Sequence, residues 1–589
     1  MTDWQKQAQE KRDSVNALIP KDWRLKSPVP SIEQQKDVTG KYIEQYLTSR
    51  EIEITETDAV NIVKHTSSGE WKAREVTEAF CHRAALAHQL VCMTLSGRSR
   101  RNADVSQKVN CLHEIFFDLA LDQAQQLDDY YAENKKPIGP LHGLPISLKD
   151  QFHIKGVETH MGYVGWIGTF QGKKDTGKEK VFESEMVKEL RSMGAVFYCK
   201  TSVPHSLMCG ETTNNIIGYT FNPKNRNLAA GGSSGGEGAL IGLKGSPLGF
   251  GTDIGGSVRI PAVFNGLYGL RTSGGRLPYE GMANSMDGQN TILSTVGPLS
   301  TSVGGLRLAM KSILSQEPWL HDPLVHELPW RDEHEEEILE KVRTGSGGAG
   351  RLVFGILRHD GTVLPQPPVR RALEMVVRAL EKVGHKVVEW EPPSHTRGAK
   401  IGLETWFYDG GKDIHDSLGL SGEPIMPQVA STYGKGPTAQ VNASKIAEVN
   451  VQKREYQKEY MEYWNDTKSL TGTGRPVDAF IMPLAPYASP LHGKYKYYAY
   501  STIINLLDYT AAVVPVTQAD KTIDVADPHF KPMSDLDNET NELYDAEIYD
   551  GAHVGVQLVG RRLQEEKVTA LLEVVSEALA KDAGVVPVL

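Results

Sequence analysis

Between Leu228 and Gly275 the chain carries fifteen of its 56 glycines. Each glycine inside a helix or strand costs about 0.5–1 kcal/mol, so this density argues for tight loops and close backbone approach. Two loops stand out. The first, Gly231-Gly-Ser233-Ser234-Gly-Gly-Glu237-Gly238, leads into the apolar run Ala239-Leu-Ile. Ser234 and Glu237 have the spacing of a capping box, which predicts a helix capped by the Ser234 side chain and leaves Ser233 just outside it. The second, Gly251-Thr252-Asp253-Ile254-Gly255-Gly256-Ser257-Val-Arg259, lines up successive backbone N–H groups ahead of a serine. Paired glycines let that backbone turn sharply and aim its donors at one point, as stabilising an oxyanion requires. Ser257 sits at the end of those donors and is the natural nucleophile.

A serine nucleophile needs a base. No histidine lies near either loop in sequence. A lysine serves when burial disfavours its charged form. Lys149, at the end of the apolar stretch Leu144–Leu148, is a candidate on that ground; a solvated surface charge is the ordinary alternative. Gly232-Ser-Ser234-Gly-Gly236 also fits the nucleophile elbow of α/β-hydrolases, which would make Ser234 the nucleophile. An elbow follows an apolar strand, whereas Asn225-Arg-Asn-Leu-Ala-Ala reads as a loop. Gly345-Ser-Gly-Gly-Ala-Gly350 matches a dinucleotide fingerprint but precedes a strand, and reads as a flexible joint. His82, His88 and His205 read as packing or surface residues. No His/Asp/Glu group has metal-ligand spacing, so no metal and no cofactor is expected.

The rest of the chain alternates helix and strand signals. Helices are expected over 61–90, 112–131, 184–194, 331–343, 368–383 and 565–579, and strands over 195–198, 351–357, 386–390, 479–482 and 511–516. Residues 391–475 give no clear pattern. Alternation of this kind indicates an α/β protein with a parallel or mixed sheet. The net charge of −10 disfavours a nucleic-acid or anionic-membrane partner. Five cysteines at irregular spacing do not make a disulfide framework. With no apolar leader and no run of about 18 apolar residues, the expectation is a cytoplasmic protein without a membrane span. A homodimer is compatible with the sequence.

The two glycine loops, with their serines twenty-four residues apart, resemble the amidase signature. The flanks extend the resemblance over nearly the whole chain: Asn16-Ala-Leu-Ile-Pro-Lys-Asp-Trp-Arg24, Asn505-Leu-Leu-Asp-Tyr509 and Gly555-Val-Gln-Leu-Val-Gly-Arg-Arg-Leu-Gln-Glu-Glu-Lys567 look like fungal acetamidase-type enzymes. The resemblance implies an α/β/α fold with a large mixed, mostly parallel sheet covered by helices on both faces. It implies a helical extension over 1–60 and a catalytic domain over 61–589. It implies a Ser–cis-Ser–Lys hydrolase of a carboxylic amide, a small aliphatic or aryl one. Carried over by position, Ser257 forms the acyl-enzyme, Ser233 bridges through a cis bond to Gly232, and Lys149 is the base. Ile254, Gly255, Gly256 and Ser257 supply the oxyanion donors, and Leu207 contacts substrate. Ser234, Thr252, Asp253 and Arg259 support them.

Within the same family, a glutamine-hydrolysing amidotransferase subunit and a fatty-acid-amide-type hydrolase are the alternatives. A catalytically dead scaffold is a third, disfavoured by the intact triad. The chain departs from the pattern at Thr510, where proline is expected, which points to an altered loop near the pocket. The 18 residues 91–108 interrupt a pattern that otherwise runs from Leu90 into Val109. Codons for Val91-Cys92 can form a fungal 5′ splice site, and those for Ala103-Asp104 a branch point. The stretch is read as either a translated intron or a surface loop.

Overall fold

A computed structural model describes residues 2–27, 29–90, 110–344 and 351–584. The stretch 91–108 and the joint 345–350 lie outside the described residues. The strands, in chain order, are β1 Leu112–Ile115, β2 Pro145–Lys149, β3 Val196–Thr201, β4 Thr213–Asn214, β5 Gly218–Tyr219, β6 Leu248–Asp253, β7 Tyr268–Arg271, β8 Thr295–Ser300, β9 Val353–Ile356, β10 Lys386–Glu389, β11 Ala479–Met482, β12 Ala511–Gln518 and β13 His553–Val559. Eleven form one mixed sheet in the order β1-β3-β2-β6-β8-β7-β12-β13-β11-β9-β10, and β4 pairs with β5 alone. Parallel pairing is concentrated in two three-strand runs, β3-β2-β6 and β11-β9-β10. The strands between these runs pair antiparallel. The expected large mixed α/β sheet is therefore present.

Strand periodicity shows that both faces are covered. Successive side chains leave a strand on opposite faces. In β11, Ala479 and Ile481 join one buried cluster while Phe480 and Met482 join another. The first cluster receives Val369, Leu373, Val376 and Leu380 from the helix Pro367–Lys382, and Val568, Leu571, Leu572 and Val575 from the helix Glu565–Ala583. The apolar residues of Pro367–Lys382 recur every three or four positions, which puts them on one stripe, and proline opens the helix where its missing N–H is harmless. The second cluster is rich in aromatics: Trp390, Tyr460 and Trp464 pack against Phe480, and Ile503 and Leu507 belong to the same cluster. Each such side chain contributes about 1.5–3 kcal/mol by leaving water.

Two expected helices change in the structure. The pattern over 61–90 divides into Ala59–Ser67 and Ala73–Leu90, because Gly69, just past the first helix, takes a left-handed φ of 75°. The helix expected over 112–131 begins only at Phe117, since Leu112–Ile115 is buried along its whole length and pairs with β3. The unreadable 391–475 is helical, with His395–Thr405, Lys412–Gly419, Pro427–Tyr433 and Ala443–Asp466 as its main elements. Residues 2–60 are helical in pieces, and their first helix, Asp3–Ala17, docks through Lys11 onto Glu114 and Glu158.

Candidate active site

β2 and β6 lie side by side and parallel, so both deliver residues to the same sheet edge. β2 ends at Lys149. β6 ends at Asp253 and runs through residues 254–258 into the helix Arg259–Phe264. The helix Gly235–Gly242 packs close behind: a Cβ on Gly236 would sit 2.2 Å from the Ser202 nitrogen, so only glycine permits the approach. Gly256 takes φ 123°, which an L side chain rarely adopts.

The expected residues come together. Lys149 is fully buried, and its Nζ is 2.8 Å from Ser233 Oγ and 2.7 Å from Thr252 Oγ1. Burial pulls its pKa from 10.5 to about 7, against the carboxylates of Asp253 and Glu237, which favour the charged form. The Gly232–Ser233 peptide bond is cis. Ser233, Thr252 and Ser257 line one small cavity of about 20 Å³, with Leu207, Ile254, Asn284, Ser285 and Gln289. Leu207 reaches it because Ser206 and Leu207 both adopt left-handed backbone, φ 70° and 63°. Ser257 also lines a second, apolar cavity of about 50 Å³ with Met208, Ile260, Leu403, Trp406, Tyr433 and Tyr498. The segment 391–475 thus supplies four of its lining residues, Leu403, Trp406, Thr432 and Tyr433. A larger cavity, about 490 Å³, lies beside the first helix and touches none of these groups.

Asp253 shapes the loop. Its two carboxylate oxygens take Nε and Nη2 of Arg259, both at 3.0 Å, and the amide of Asn505 at 2.8 Å. Burial pushes the Asp253 carboxyl up, but the Arg259 guanidinium outweighs it and holds the group well below the usual range. Arg259 continues to Gln557 and to the Ser501 carbonyl. One expectation is corrected here. The Gly256 N–H donates to Asp253 Oδ1 at 2.8 Å, because the carboxylate sits inside the turn. That N–H is already committed, whereas those of Ile254, Gly255 and Ser257 carry no such bond.

The capping box is also corrected. Ser234 stands at the N-cap, but its φ/ψ of −93°/40° is not an extended cap and its hydroxyl has no hydrogen-bond partner. Glu237 turns the other way and accepts from Ser147 at 2.6 Å and Thr201 at 2.8 Å. No regular strand leads into Ser234, so the elbow geometry is not formed. Thr510 lines neither cavity: its hydroxyl joins Ser273 and Glu565 in a buried cluster.

Two features were not read from the sequence. Gln151 accepts from Thr252 Oγ1 at 2.6 Å and donates to the Ala283 carbonyl at 3.0 Å. Behind Lys149, Asp150 meets Lys200 at 3.0 Å and His160 at 3.3 Å, and His160 reaches Glu114, which Lys11 also engages. Only Lys149, two residues before Gln151, had a sequence signal; apart from the nearby His160, the partners of Gln151 and Asp150 lie 50–132 residues away.

A large mixed sheet presenting buried lysine and serine side chains beside a loop of free backbone donors is the architecture of a hydrolytic enzyme. The Amidase family model matches residues 93–569. An acetamidase of Emericella nidulans is 45% identical over 98% of each chain, and one of Aspergillus oryzae 44% identical over 98% of this chain and 99% of its own. The solved structure of a fatty acid amide hydrolase superposes with a TM-score of 0.85 at 32% identity, covering 98% of this chain and 95% of the other. The chain belongs to the amidase signature family and is a hydrolase acting on amides. Among the described residues no helix is long and apolar enough to cross a membrane.

Proposed function

We propose that the chain hydrolyses small carboxylic amides through an acyl-Ser257 intermediate, with Ser233 as relay and Lys149 as base. The observation that carries this reading is the contact between a fully buried Lys149, its pKa lowered to about 7, and Ser233, which lines the same cavity as Ser257. Gln151 gives the relay its direction. Its amide nitrogen is fixed by the Ala283 carbonyl, so its oxygen faces Thr252 and must accept that hydroxyl's proton. Thr252 Oγ1 is then an acceptor for a Lys149 N–H, and the lone pair of the neutral amine is left for the Ser233 hydroxyl.

In the first half-reaction Ser257 Oγ attacks the carbonyl carbon. Its proton passes to Ser233 Oγ as the Ser233 proton passes to Lys149. The N–H groups of Ile254, Gly255 and Ser257 are the donors for the developing oxyanion. The lysinium returns a proton through Ser233 to the amide nitrogen, the C–N bond breaks, and ammonia or an amine leaves. Water then attacks the acyl carbon, its proton follows the same relay, and the acid departs. Because the nitrogen must lie within reach of Ser233, the amine side belongs in the polar cavity, and the acyl tail in the apolar one that Trp406 and Leu403 close.

The relatives named acetamidase and the small apolar cavity both favour a short acyl group. The likeness to a fatty acid amide hydrolase favours a longer one as the second reading. Ammonia release from the isolated chain, measured on straight-chain amides of increasing length, tests this. The reading expects kcat/KM to peak among the short amides; a peak among long chains replaces it with the second, and no release from any amide overturns both. We also infer a catalytic domain over 61–589 with 1–60 packed on it, and a reducing compartment such as the cytoplasm. The Lys11 contacts support the first, and the free thiols of Cys81, Cys111, Cys199 and Cys209 the second.

A further inference from the structure

The helix Glu185–Ser192 carries Glu185 and Glu189 four residues apart, on one face. Glu189 is only 4% exposed, yet neither of its carboxylate oxygens has a hydrogen-bond partner. A buried carboxylate without donors is costly as an anion, and an orphan of this kind calls for a missing partner. Its surroundings worsen the cost. Burial first, then the charges of Glu185 and Asp322, push its pKa up to about 8. Asp322 offers no relief, since its oxygens already accept from the N–H groups of Tyr279, Glu280 and Leu324. Lys188 occupies one oxygen of Glu185, at 2.8 Å, and leaves the other.

That other oxygen faces an imidazole. His321 follows the short helix Pro318–Leu320 and brings Nδ1 to 3.6 Å from Glu189 Oε1 and 3.9 Å from Glu185 Oε1. One donor atom from each of the three residues lies within 4.8 Å of the other two. Tetrahedral ligands at 2.0–2.1 Å from zinc stand about 3.3 Å apart. The two imidazole–carboxylate separations exceed this by about 0.3 and 0.6 Å, and the two carboxylates lie within 4.8 Å of each other, so modest side-chain movement closes a coordination shell. His321 is half exposed, which gives an ion a way in.

We propose that Glu185, Glu189 and His321 bind a divalent transition-metal cation of the zinc type, with water completing its shell, at a site separate from the amide-hydrolysing cavities. One imidazole with two carboxylates suits zinc better than magnesium or calcium, which take oxygen ligands. The ion supplies the positive charge that Glu189 lacks. It ties the helix ahead of β3 to the turn after the helix Val303–Leu314. Sequence spacing could not reveal it, because the third ligand comes from a distant turn.

The test is zinc chloride titrated into the EDTA-treated full chain, followed by calorimetry and by thermal unfolding. Saturable binding is expected, with a Tm that rises to a plateau and returns on adding EDTA. Glu189→Gln and His321→Ala should each lose the binding and the Tm response. His321→Ala removes a half-exposed side chain, and without zinc Glu189→Gln should be at least as stable as wild type. Neither residue lines the cavities at Ser257, so amide hydrolysis should persist in both. Absence of saturable zinc binding by the wild-type chain overturns the proposal. So does wild-type affinity in either variant, which would assign the ion elsewhere.

Discussion

Replacing Lys149 by arginine separates two roles that its position allows. A free lysine, with a pKa of about 10.4, is neutral in only about 0.04% of molecules at pH 7. Held near 7 by burial, Lys149 is neutral in roughly half. Burial therefore raises the population of competent base roughly a thousandfold. The sign follows from the direction of the shift. The neutral form grows as pH rises, so kcat/KM on an uncharged amide should climb about tenfold per unit below pH 6 and level off above about pH 8. Arginine keeps a positive charge at every accessible pH. If Lys149 acts as the base, Lys149→Arg loses at least about 10³ in kcat/KM, within the range that a positioned base contributes, and its residual rate loses the limb near 7. Steady-state assays of ammonia release from pH 5 to 9, with circular dichroism confirming the fold at each pH, supply the readout. A Lys149→Arg enzyme within tenfold of wild type, with the limb unchanged, would show that the group supplies only charge and would refute the relay.

Ser234→Ala should retain activity within about fivefold and cost little stability. Its hydroxyl is buried without a partner, and removing such a group is close to neutral; inactivation of this variant would restore the elbow reading. Trp406→Ala opens the apolar cavity. Each further methylene of the acyl chain should then gain about fourfold in kcat/KM, from about 0.8 kcal/mol per buried CH₂, while an equal loss on all chain lengths would contradict the assignment of that cavity to the acyl group. Asp253→Asn leaves Arg259 buried without its counter-charge and should destabilise the chain by about 3–5 kcal/mol in urea unfolding; a change below about 1 kcal/mol would contradict the role given to the pair.

How much of this was legible in the sequence depended on distance along the chain. The mixed sheet showed through, because strands such as Ala479–Met482 are short apolar runs with turn residues at both ends. Ser233, Ser257 and the donor loop were readable because the chemistry and its glycines fall within one short stretch. Lys149 was readable only as a candidate: the sequence shows an apolar approach to it but not the burial that makes it a base. The Ser234–Glu237 box failed because tertiary partners won. Glu237 is drawn to Ser147 and Thr201 on neighbouring strands, and a local motif cannot anticipate them. Leu112–Ile115 failed similarly, since pairing with β3 overrode a helix-like apolar spacing. Gln151, whose contacts orient Thr252, and Trp406, which closes the apolar cavity, owe their roles entirely to the fold.

The proposed mechanism requires the acyl group to be carried on Ser257. Trypsin cleaves after Arg226, Lys244 and Arg259, which puts Ser233 and Ser234 in the peptide 227–244 and Ser257 in the peptide 245–259. Wild-type enzyme can be acid-quenched during turnover of an activated anilide and its tryptic peptides weighed. The expected result is the mass of one acyl group on 245–259, localised to Ser257 by fragmentation and absent from Ser257→Ala. An acyl group on 227–244, or an unmodified 245–259 under conditions where a burst of aniline is released, would contradict it.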